Sequence, residues 1–342
     1  MLRLSWPRVI GESTTRPLDS KGEGVQAGQL TTAETLRLLG AGASGAILMA
    51  LGEGPLRTKE LTERVRGYAP RTVYRYANKL TDLGVIERHE EPGVPSKVVH
   101  NLTQPCGQEL HDLVEAYAAA SWTRLAGGEI DAHGWGSLGL LADLWESGMI
   151  EELNLEPRSL TELARGDHGL SYHQVSRRAT LFAVGGFVHE VPSSGRRRCV
   201  ALTDKARRAM ALIAGIGRWR RRHVVSAGEA GLDVSEVAGL LRATLPLISL
   251  PEHQQKTLRI DVLNSNGSKG NEEAVWGCVE SDGSVASCSE PKAEVDARAH
   301  GKSTAWVDAV LDGPPLSVSA QGDEGLVEAC VGRLHAVLWG TV

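Results

Sequence analysis

The sequence predicts a mainly α-helical protein with two small β-hairpins, followed by a C-terminal α+β domain. The first observation is a pattern that occurs twice. One copy runs from Ser44-Gly45 to Leu102-Thr103, and the other runs from Ser147-Gly148 to Leu202-Thr203. The second observation is a change from helical spacing of apolar residues to strand-like alternation after about residue 235. An internal duplication explains the repeated pattern better than chance does.

Each copy is predicted to form three helices, a β-hairpin and a closing helix. In the first copy we expect Thr58 to cap the second helix and Pro70 to lie in the first turn of the third. Gly84 follows as the glycine that ends this third helix. Apolar residues at helical spacing mark the buried face of the third helix in both copies: Val73, Ala77 and Leu80, then Val175, Ala179 and Phe182.

Three helices followed by a two-stranded hairpin is the winged-helix order. The predicted fold class is therefore mainly α with small β wings, arranged as two winged-helix modules plus a C-terminal α+β domain. We expect residues 1–27 to be a flexible tail, because Gly, Ser, Thr, Pro and charged residues dominate them. The three predicted domains are residues 28–127 (module 1), 128–225 (module 2) and 226–342 (ligand-binding or interaction domain), with a break between Gly127 and Gly136.

The first module resembles the HxlR-type winged helix-turn-helix regulators. The resemblance rests on Gly54-Pro55-Leu56-Arg57, on Leu83-Gly84-Val85-Ile86-Glu87-Arg88, and on Leu102-Thr103 after the hairpin. The second module matches less well, since Pro157 lacks the preceding glycine and the second hairpin is shorter and more basic. The resemblance implies sequence-specific binding of double-stranded DNA and transcriptional control. Members of this family are usually homodimers of one module, so a tandem arrangement departs from the pattern.

The charge distribution is compatible with DNA binding although the net charge is −5. Residues 131–225 hold 14 Lys and Arg against 10 Asp and Glu, whereas residues 226–342 hold 8 against 17. Because salt limits the reach of each charge to about 8–10 Å, local charge decides contact with a DNA backbone. The acidic C-terminal domain is not expected to touch DNA.

We expect the third helix of each module to present polar side chains to base edges and phosphates. Arg75 and Arg177 coincide at an offset of 102 residues and are the strongest candidates. The alternative is that these polar positions are only the solvated side of a helix. The predicted DNA-contacting residues on the two helices are Arg71, Thr72, Tyr74, Arg75, Asn78, Lys79, Tyr172, His173, Gln174, Ser176 and Arg177.

Two clusters of arginines are further candidates for DNA contact. Arg196, Arg197 and Arg198 lie in the second hairpin and are favoured to follow the DNA backbone or enter a minor groove. The segment 218–222 contains four arginines, for which DNA contact and pairing with the acidic C-terminal domain are equally supported.

The C-terminal domain is predicted to contain alternating strands and helices, and part of it resembles sterol-carrier-like domains. That resemblance rests on residues 305–313, a following strand, and Gly322-Asp323 before a last helix. It implies an apolar ligand between sheet and helices. Trp276 and Trp306 are then candidate ligand-binding residues, although tryptophans at such spacing more often belong to the core.

The predicted function is a sequence-specific DNA-binding transcriptional regulator whose two modules act as an intramolecular pseudo-dimer. A winged-helix protein-interaction scaffold is the alternative, and a DNA-acting enzyme is the third. No metal-ligand spacing, Walker loop or nucleophile motif is found, so we expect no enzyme activity, cofactor or metal. The predicted partners are double-stranded DNA and a small hydrophobic ligand, bound by a monomer or homodimer.

The sequence contains five cysteines without CxxC spacing. It also contains no apolar run of about 18 residues. The cysteines are therefore expected to be reduced, no membrane span is expected, and the expected location is the cytoplasm, with the nucleoid.

Overall fold

The computed structural model describes residues 30–92, 97–121, 132–166, 169–192, 198–225, 231–264, 272–288, 294–314 and 317–339. Within these ranges helices dominate residues 30–225, which also hold two small three-stranded sheets. A five-stranded sheet with helices on one face forms the remainder. The predicted fold class, mainly α with small β wings followed by an α+β domain, is confirmed.

The first module contains five helices and three short strands. The helices are α1 (Thr32–Gly40), α2 (Ser44–Gly52), α3 (Thr58–Arg64), α4 (Pro70–Asp82) and α5 (Cys106–Ser121). The strands are β1 (Leu56–Arg57), β2 (Ile86–Glu91) and β3 (Lys97–Leu102). They form an antiparallel sheet in the order β1-β3-β2, in which β2 and β3 are the predicted hairpin.

The second module has the same elements in the same order. The helices are α6 (Ala132–Glu146), α7 (Met149–Leu155), α8 (Leu160–Leu163), α9 (Tyr172–Val184) and α10 (Asp204–His223). The strands are β4 (Arg158–Ser159), β5 (Val188–Pro192) and β6 (Arg198–Leu202). The sheet order β4-β6-β5 repeats β1-β3-β2 strand for strand, and all pairs are antiparallel.

Some local details differ from the sequence prediction. Helix α1 was not anticipated, although Thr31 accepts a hydrogen bond from the Glu34 amide and the Glu34 carboxylate accepts one from the Thr31 amide, forming a capping box. Thr58 is the first helical residue of α3 and does not cap it; its hydroxyl donates to the Val98 carbonyl. Helix α6 runs through residues 132–136, so the second half of the predicted break is helical, while residues 127–131 lie outside the described residues.

Other details agree with the sequence prediction. Pro70 is the first residue of α4, where a proline loses no helical hydrogen bond. Gly84 follows this helix with a φ of 70°, a left-handed conformation that suits glycine. Val73, Ala77 and Leu80 are buried as expected.

Equivalent helices of the two modules pack against each other. Helix α1 packs against α6, and α5 packs against α10. At the first contact the backbones lie very close, because a Cβ added at Gly40 would lie 2.7 Å from the Gly139 amide nitrogen and 2.9 Å from the Trp135 carbonyl oxygen. Arg37 of α1 also binds Asp143 (2.8 Å) and Glu146 (2.6 Å) of α6.

The C-terminal domain adds three helices and five strands. Its helices are α11 (Val234–Thr244), α12 (Ser303–Asp312) and α13 (Glu324–Trp339). Its strands are β7 (Thr257–Leu263), β8 (Glu272–Val279), β9 (Val285–Cys288), β10 (Ala297–Lys302) and β11 (Ser319–Gly322). The sheet order is β11-β10-β7-β8-β9, with β10 and β7 parallel and the other neighbours antiparallel.

Helix α10 connects the modules to the C-terminal domain. It is buried along most of its length and contacts α1, α5, α11, α12 and α13. The buried apolar side chains of all three parts therefore form one continuous cluster. None of the described helices is by itself long and apolar enough to cross a membrane, although α1 and α2 pass the length and composition test as a pair bent by 81°.

One cysteine pair contradicts the prediction that all cysteines are reduced. Cys278 of β8 and Cys288 of β9 form a disulfide, with their Cα atoms 6.4 Å apart. The antiparallel pairing of the two strands places Cys288 opposite Trp276 and Cys278 opposite Ala286, so both cysteines lie on the same sheet face. This juxtaposition depends on strand register, which cysteine spacing alone does not reveal.

Candidate nucleic-acid interface

Helix α4 is held by an apolar face and presents a polar face to solvent. Its buried residues are Val73, Ala77 and Leu80, which pack into the module core. The predicted contact residues Arg71, Tyr74, Arg75 and Asn78 are exposed, while Thr72 and Lys79 are partly exposed. All six predicted side chains of α4 are therefore at least partly accessible to solvent.

The Tyr76 ring contacts two cationic side chains of α4, Arg75 and Lys79. Its ring lies against Gly42, where any added Cβ would collide with the ring. The Arg75 guanidinium lies 4.9 Å from the ring centroid and the Lys79 ammonium lies 5.3 Å from it. Burial, followed by the charge of Arg75, lowers the pKa of Lys79. The ring therefore holds both cations at the helix surface before any ligand arrives.

Helix α9 repeats the arrangement with a different surface. Val175, Ala179 and Phe182 are buried at the positions equivalent to Val73, Ala77 and Leu80. Arg177 is exposed at the position equivalent to Arg75. Within the described residues, neither arginine forms an ion pair with an acid, so both guanidinium groups are available to a phosphate or a base.

The N-terminus of α9 uses one predicted contact residue as a cap. Gln174 Oε1 accepts hydrogen bonds from the amide and the hydroxyl of Ser171, both at 2.9 Å, so this oxygen is engaged inside the protein. Tyr172 and His173 beside it are exposed, and Ser176 is partly exposed. Of these four residues, Gln174 is the one whose side chain already has a structural role.

The C-terminal end of α9 carries apolar exposure that the sequence analysis did not single out. Leu181 is 40% exposed and Val184 is 76% exposed. The equivalent of Leu181 in α4 is the cationic Lys79, so the two helices differ most at this end. The sequence indicates this exposure, because the buried positions of α9 leave residues 181 and 184 on its outer face.

The two hairpins differ in charge. The β2–β3 hairpin carries Glu87, Glu90 and Glu91 and is a poor phosphate surface. In the β5–β6 hairpin, Arg198 is exposed and lies 3.5 Å from Glu190, a solvent-exposed pair of small energetic weight. Arg196 and Arg197 lie outside the described residues.

The arginines at the end of α10 bind acids of the protein. Arg218 binds Asp312 (2.6 Å) and Arg221 binds Asp308 (2.8 Å), and both aspartates belong to α12. Arg222 lies 3.5 Å from Glu109 of α5. Of the two alternatives left open by the sequence, pairing with the acidic C-terminal domain is therefore the one observed for Arg218 and Arg221.

The structure does not bring Trp276 and Trp306 together. Trp306 of α12 is 1% exposed and donates a hydrogen bond from Nε1 to the Asp261 carbonyl, so it belongs to the core between helices and sheet. Gly277 faces that same core, because a Cβ there would lie 3.5 Å from Leu245. Its neighbour Trp276 consequently points to the opposite sheet face, where Arg259 lies 5.0 Å from its ring centroid.

Residues 38–126 match the model of the HxlR-like helix-turn-helix family. The first module is an HxlR-like helix-turn-helix domain. The match to this family supports DNA binding by the first module, as in a transcriptional regulator. Among solved structures, the chain is similar to diamide-treated YodB from B. subtilis, with 29% identity over 25% of this chain and 87% of that chain and a TM-score of 0.22. No curated protein matches the chain.

Proposed function

We propose that this chain is a sequence-specific regulator of transcription that reads double-stranded DNA with two tandem winged-helix modules. In this proposal the modules act as an intramolecular pseudo-dimer, with α4 and α9 as the two recognition helices. The observation that carries it is the pairing of equivalent helices, α1 with α6 and α5 with α10. In a symmetric dimer the same patch of each subunit meets its own copy, and these contacts follow that rule within one chain.

The repeated architecture supports the same proposal. The two modules share the order of eight elements and the strand order of their sheets. Arg75 and Arg177 occupy equivalent exposed positions on α4 and α9. Because the rest of the two helix surfaces and the two hairpins differ, we expect an asymmetric DNA site whose halves contribute unequally. A single chain then suffices for a complete reader, and a homodimer would present four modules.

A protein-interaction scaffold is the second candidate function. The exposed Leu181 and Val184 on α9 favour it, because contiguous apolar exposure marks protein contact sites. The exposed guanidinium groups of Arg75 and Arg177, which form no ion pair among the described residues, favour DNA. The two candidate functions use different surfaces. As a scaffold, the protein would bind a partner protein with the C-terminal end of α9. As a regulator, it would contact base pairs with the N-terminal halves of α4 and α9.

Selection of duplexes from a random library, followed by fluorescence anisotropy of the enriched duplex, tests the proposal. We expect one enriched sequence and an affinity that falls steeply between about 50 and 200 mM salt, since each neutralised phosphate releases counterions. The scaffold alternative predicts no enrichment and no salt-dependent duplex binding. In that case Leu181→Ser would disrupt the partner complex, whereas Arg75→Ala would leave it intact.

A further inference from the structure

Two of the five cysteines lie together on the open face of the C-terminal sheet. The opposite face packs against the helices, since Val275 is buried there and a Cβ at Gly277 would lie 3.5 Å from Leu245. Side chains alternate along a strand, so Cys278 points away from these helices, and its disulfide partner Cys288 lies on the same face. Both cysteines are partly exposed, so a dissolved reagent can reach them.

The other three cysteines are less suited to exchange with a dissolved thiol or disulfide. Cys330 is buried, and burial raises its pKa to about 12. Burial is also the main reason that the pKa of Cys106 is raised. Because the thiolate is the reacting form of cysteine, a raised pKa leaves little of that form at neutral pH. Cys199 is partly exposed but forms no disulfide, so Cys278 and Cys288 are the cysteines that combine exposure with a bonding partner.

The sheet does not need this disulfide to keep its strand order. Residues 272–278 of β8 pair with β7. The beginning of β9 is held by backbone hydrogen bonds to the segment before β7. The Val285 amide donates to the Ile248 carbonyl (3.3 Å), and the Leu250 amide donates to the Gly283 carbonyl (2.7 Å). None of these contacts involves sulfur, so opening the disulfide should act locally and should not unfold the domain.

The end of β9 depends more on the disulfide than its beginning does. β9 is an edge strand, and its last two residues, Ser287 and Cys288, pair with Gly277 and Trp276 of β8. Among the described residues, this end has no backbone hydrogen bonds to the segment before β7 of the kind that hold the beginning. The disulfide joins cysteines ten positions apart, and closing such a loop restricts the arrangements in which the strand end leaves the sheet.

We propose that Cys278 and Cys288 form a reversible redox couple that exchanges electrons with low-molecular-weight thiols and disulfides, and that its closure fixes the end of β9. In the closing direction, the thiolate of one cysteine attacks a small disulfide, forms a mixed disulfide and releases one small thiolate. The second cysteine then attacks the protein sulfur of the mixed disulfide and releases the second small thiolate. Two protein thiols thus lose two electrons and two protons, and one small disulfide becomes two thiols. Opening is the reverse reaction.

The couple is independent of DNA, but its effect on transcription rests on the proposed function. β9 contacts α7 of the second module, so an ordered β9 restrains the module that carries α9. A change at the disulfide can therefore reach one of the two proposed reading helices through directly packed elements.

Equilibration of the full chain, without DNA, in mixtures of reduced and oxidised glutathione tests the couple. Free thiols are trapped with N-ethylmaleimide, and peptide mass spectrometry gives the bonded fraction of Cys278 and Cys288 in each mixture. We expect this fraction to change from bonded to free as the share of reduced glutathione rises, with the same value reached from the oxidised and the reduced chain. A pair that stays bonded in every mixture is a structural bridge, and a pair that stays free forms no couple; either result overturns the proposal.

Hydrogen–deuterium exchange of the same samples tests the effect on the strand. Peptides that cover β9 should exchange at least about fivefold faster in the reduced chain, whereas peptides that cover β7 should be unchanged. Cys278→Ser should exchange as the reduced chain does in every glutathione mixture. Cys199→Ser, which removes the remaining partly exposed cysteine, is the matched control and should respond to glutathione as the unmodified chain does. Equal exchange of β9 in the oxidised and reduced chains would refute control of the strand by the disulfide.

Discussion

Replacing Arg75 or Arg177 by alanine should weaken specific DNA binding with little change in stability. Both side chains are exposed and lack acidic partners among the described residues, so their removal disturbs no internal ion pair. An arginine that contacts a guanine or a phosphate contributes ~1–3 kcal/mol, which corresponds to a roughly 5- to 150-fold higher Kd. We expect Arg75→Ala to fall near the upper end, because the Tyr76 ring at 4.9 Å already orients its guanidinium.

The double variant carries further information. If the two arginines contact separate halves of the site, the losses in binding free energy should add within about 0.5 kcal/mol. Fluorescence anisotropy with the selected duplex measures all three variants. Arg333→Ala, which removes an exposed arginine from α13, is the matched control for loss of one positive charge. If Arg75→Ala and Arg177→Ala bind as Arg333→Ala does, the assignment of α4 and α9 as reading helices is wrong.

Four further substitutions test the module contact and a buried histidine. Gly40→Ala should lower the free energy of unfolding by ~1–3 kcal/mol, because the added Cβ would crowd the α6 backbone. Gly139→Ala has open space for its Cβ and should raise the free energy of unfolding by ~0.5–1 kcal/mol. Urea unfolding measures both variants. Arg37→Ala should cost about 1–2 kcal/mol in the same assay, and a loss no larger than that of Arg333→Ala would contradict a structural role for its ion pairs. Burial, followed by the charge of Arg88, lowers the pKa of His100. Below about pH 6.5 this histidine therefore binds a proton more readily in the unfolded chain than in the folded chain. Stability should therefore fall from pH 7 to pH 5, and His100→Gln should reduce that fall; an identical pH dependence would contradict a neutral buried imidazole.

Local structure was predictable where short-range chemistry determines it. Pro70 and Gly84 mark the ends of α4 because one lacks an amide hydrogen and the other tolerates a positive φ. The buried faces of α4 and α9 follow from helical spacing alone. The sequence also carries a start signal for helix α1, because Thr31 and Glu34 form a capping box ahead of an apolar run.

Features that depend on tertiary arrangement were not predictable. Nothing in the sequence around Arg37 indicates that its partners lie on α6, more than 100 residues away. The disulfide between Cys278 and Cys288 depends on strand register, and the separation of Trp276 from Trp306 depends on which sheet face each residue occupies. The cavity lined by α1, α6, α7 and α11 combines residues from both modules and the C-terminal domain, so no local motif predicts it.

A hydroxyl-radical footprint on the selected duplex, combined with native mass spectrometry of the same complex, tests the central claim most directly. The pseudo-dimer predicts one chain per duplex and two protected segments about 10 base pairs apart, one for each recognition helix. Arg177→Ala should weaken protection of one segment more than the other. One chain protecting a single segment of about half that span, or two chains needed for the full footprint, would show that the two modules do not read DNA as an intramolecular pair.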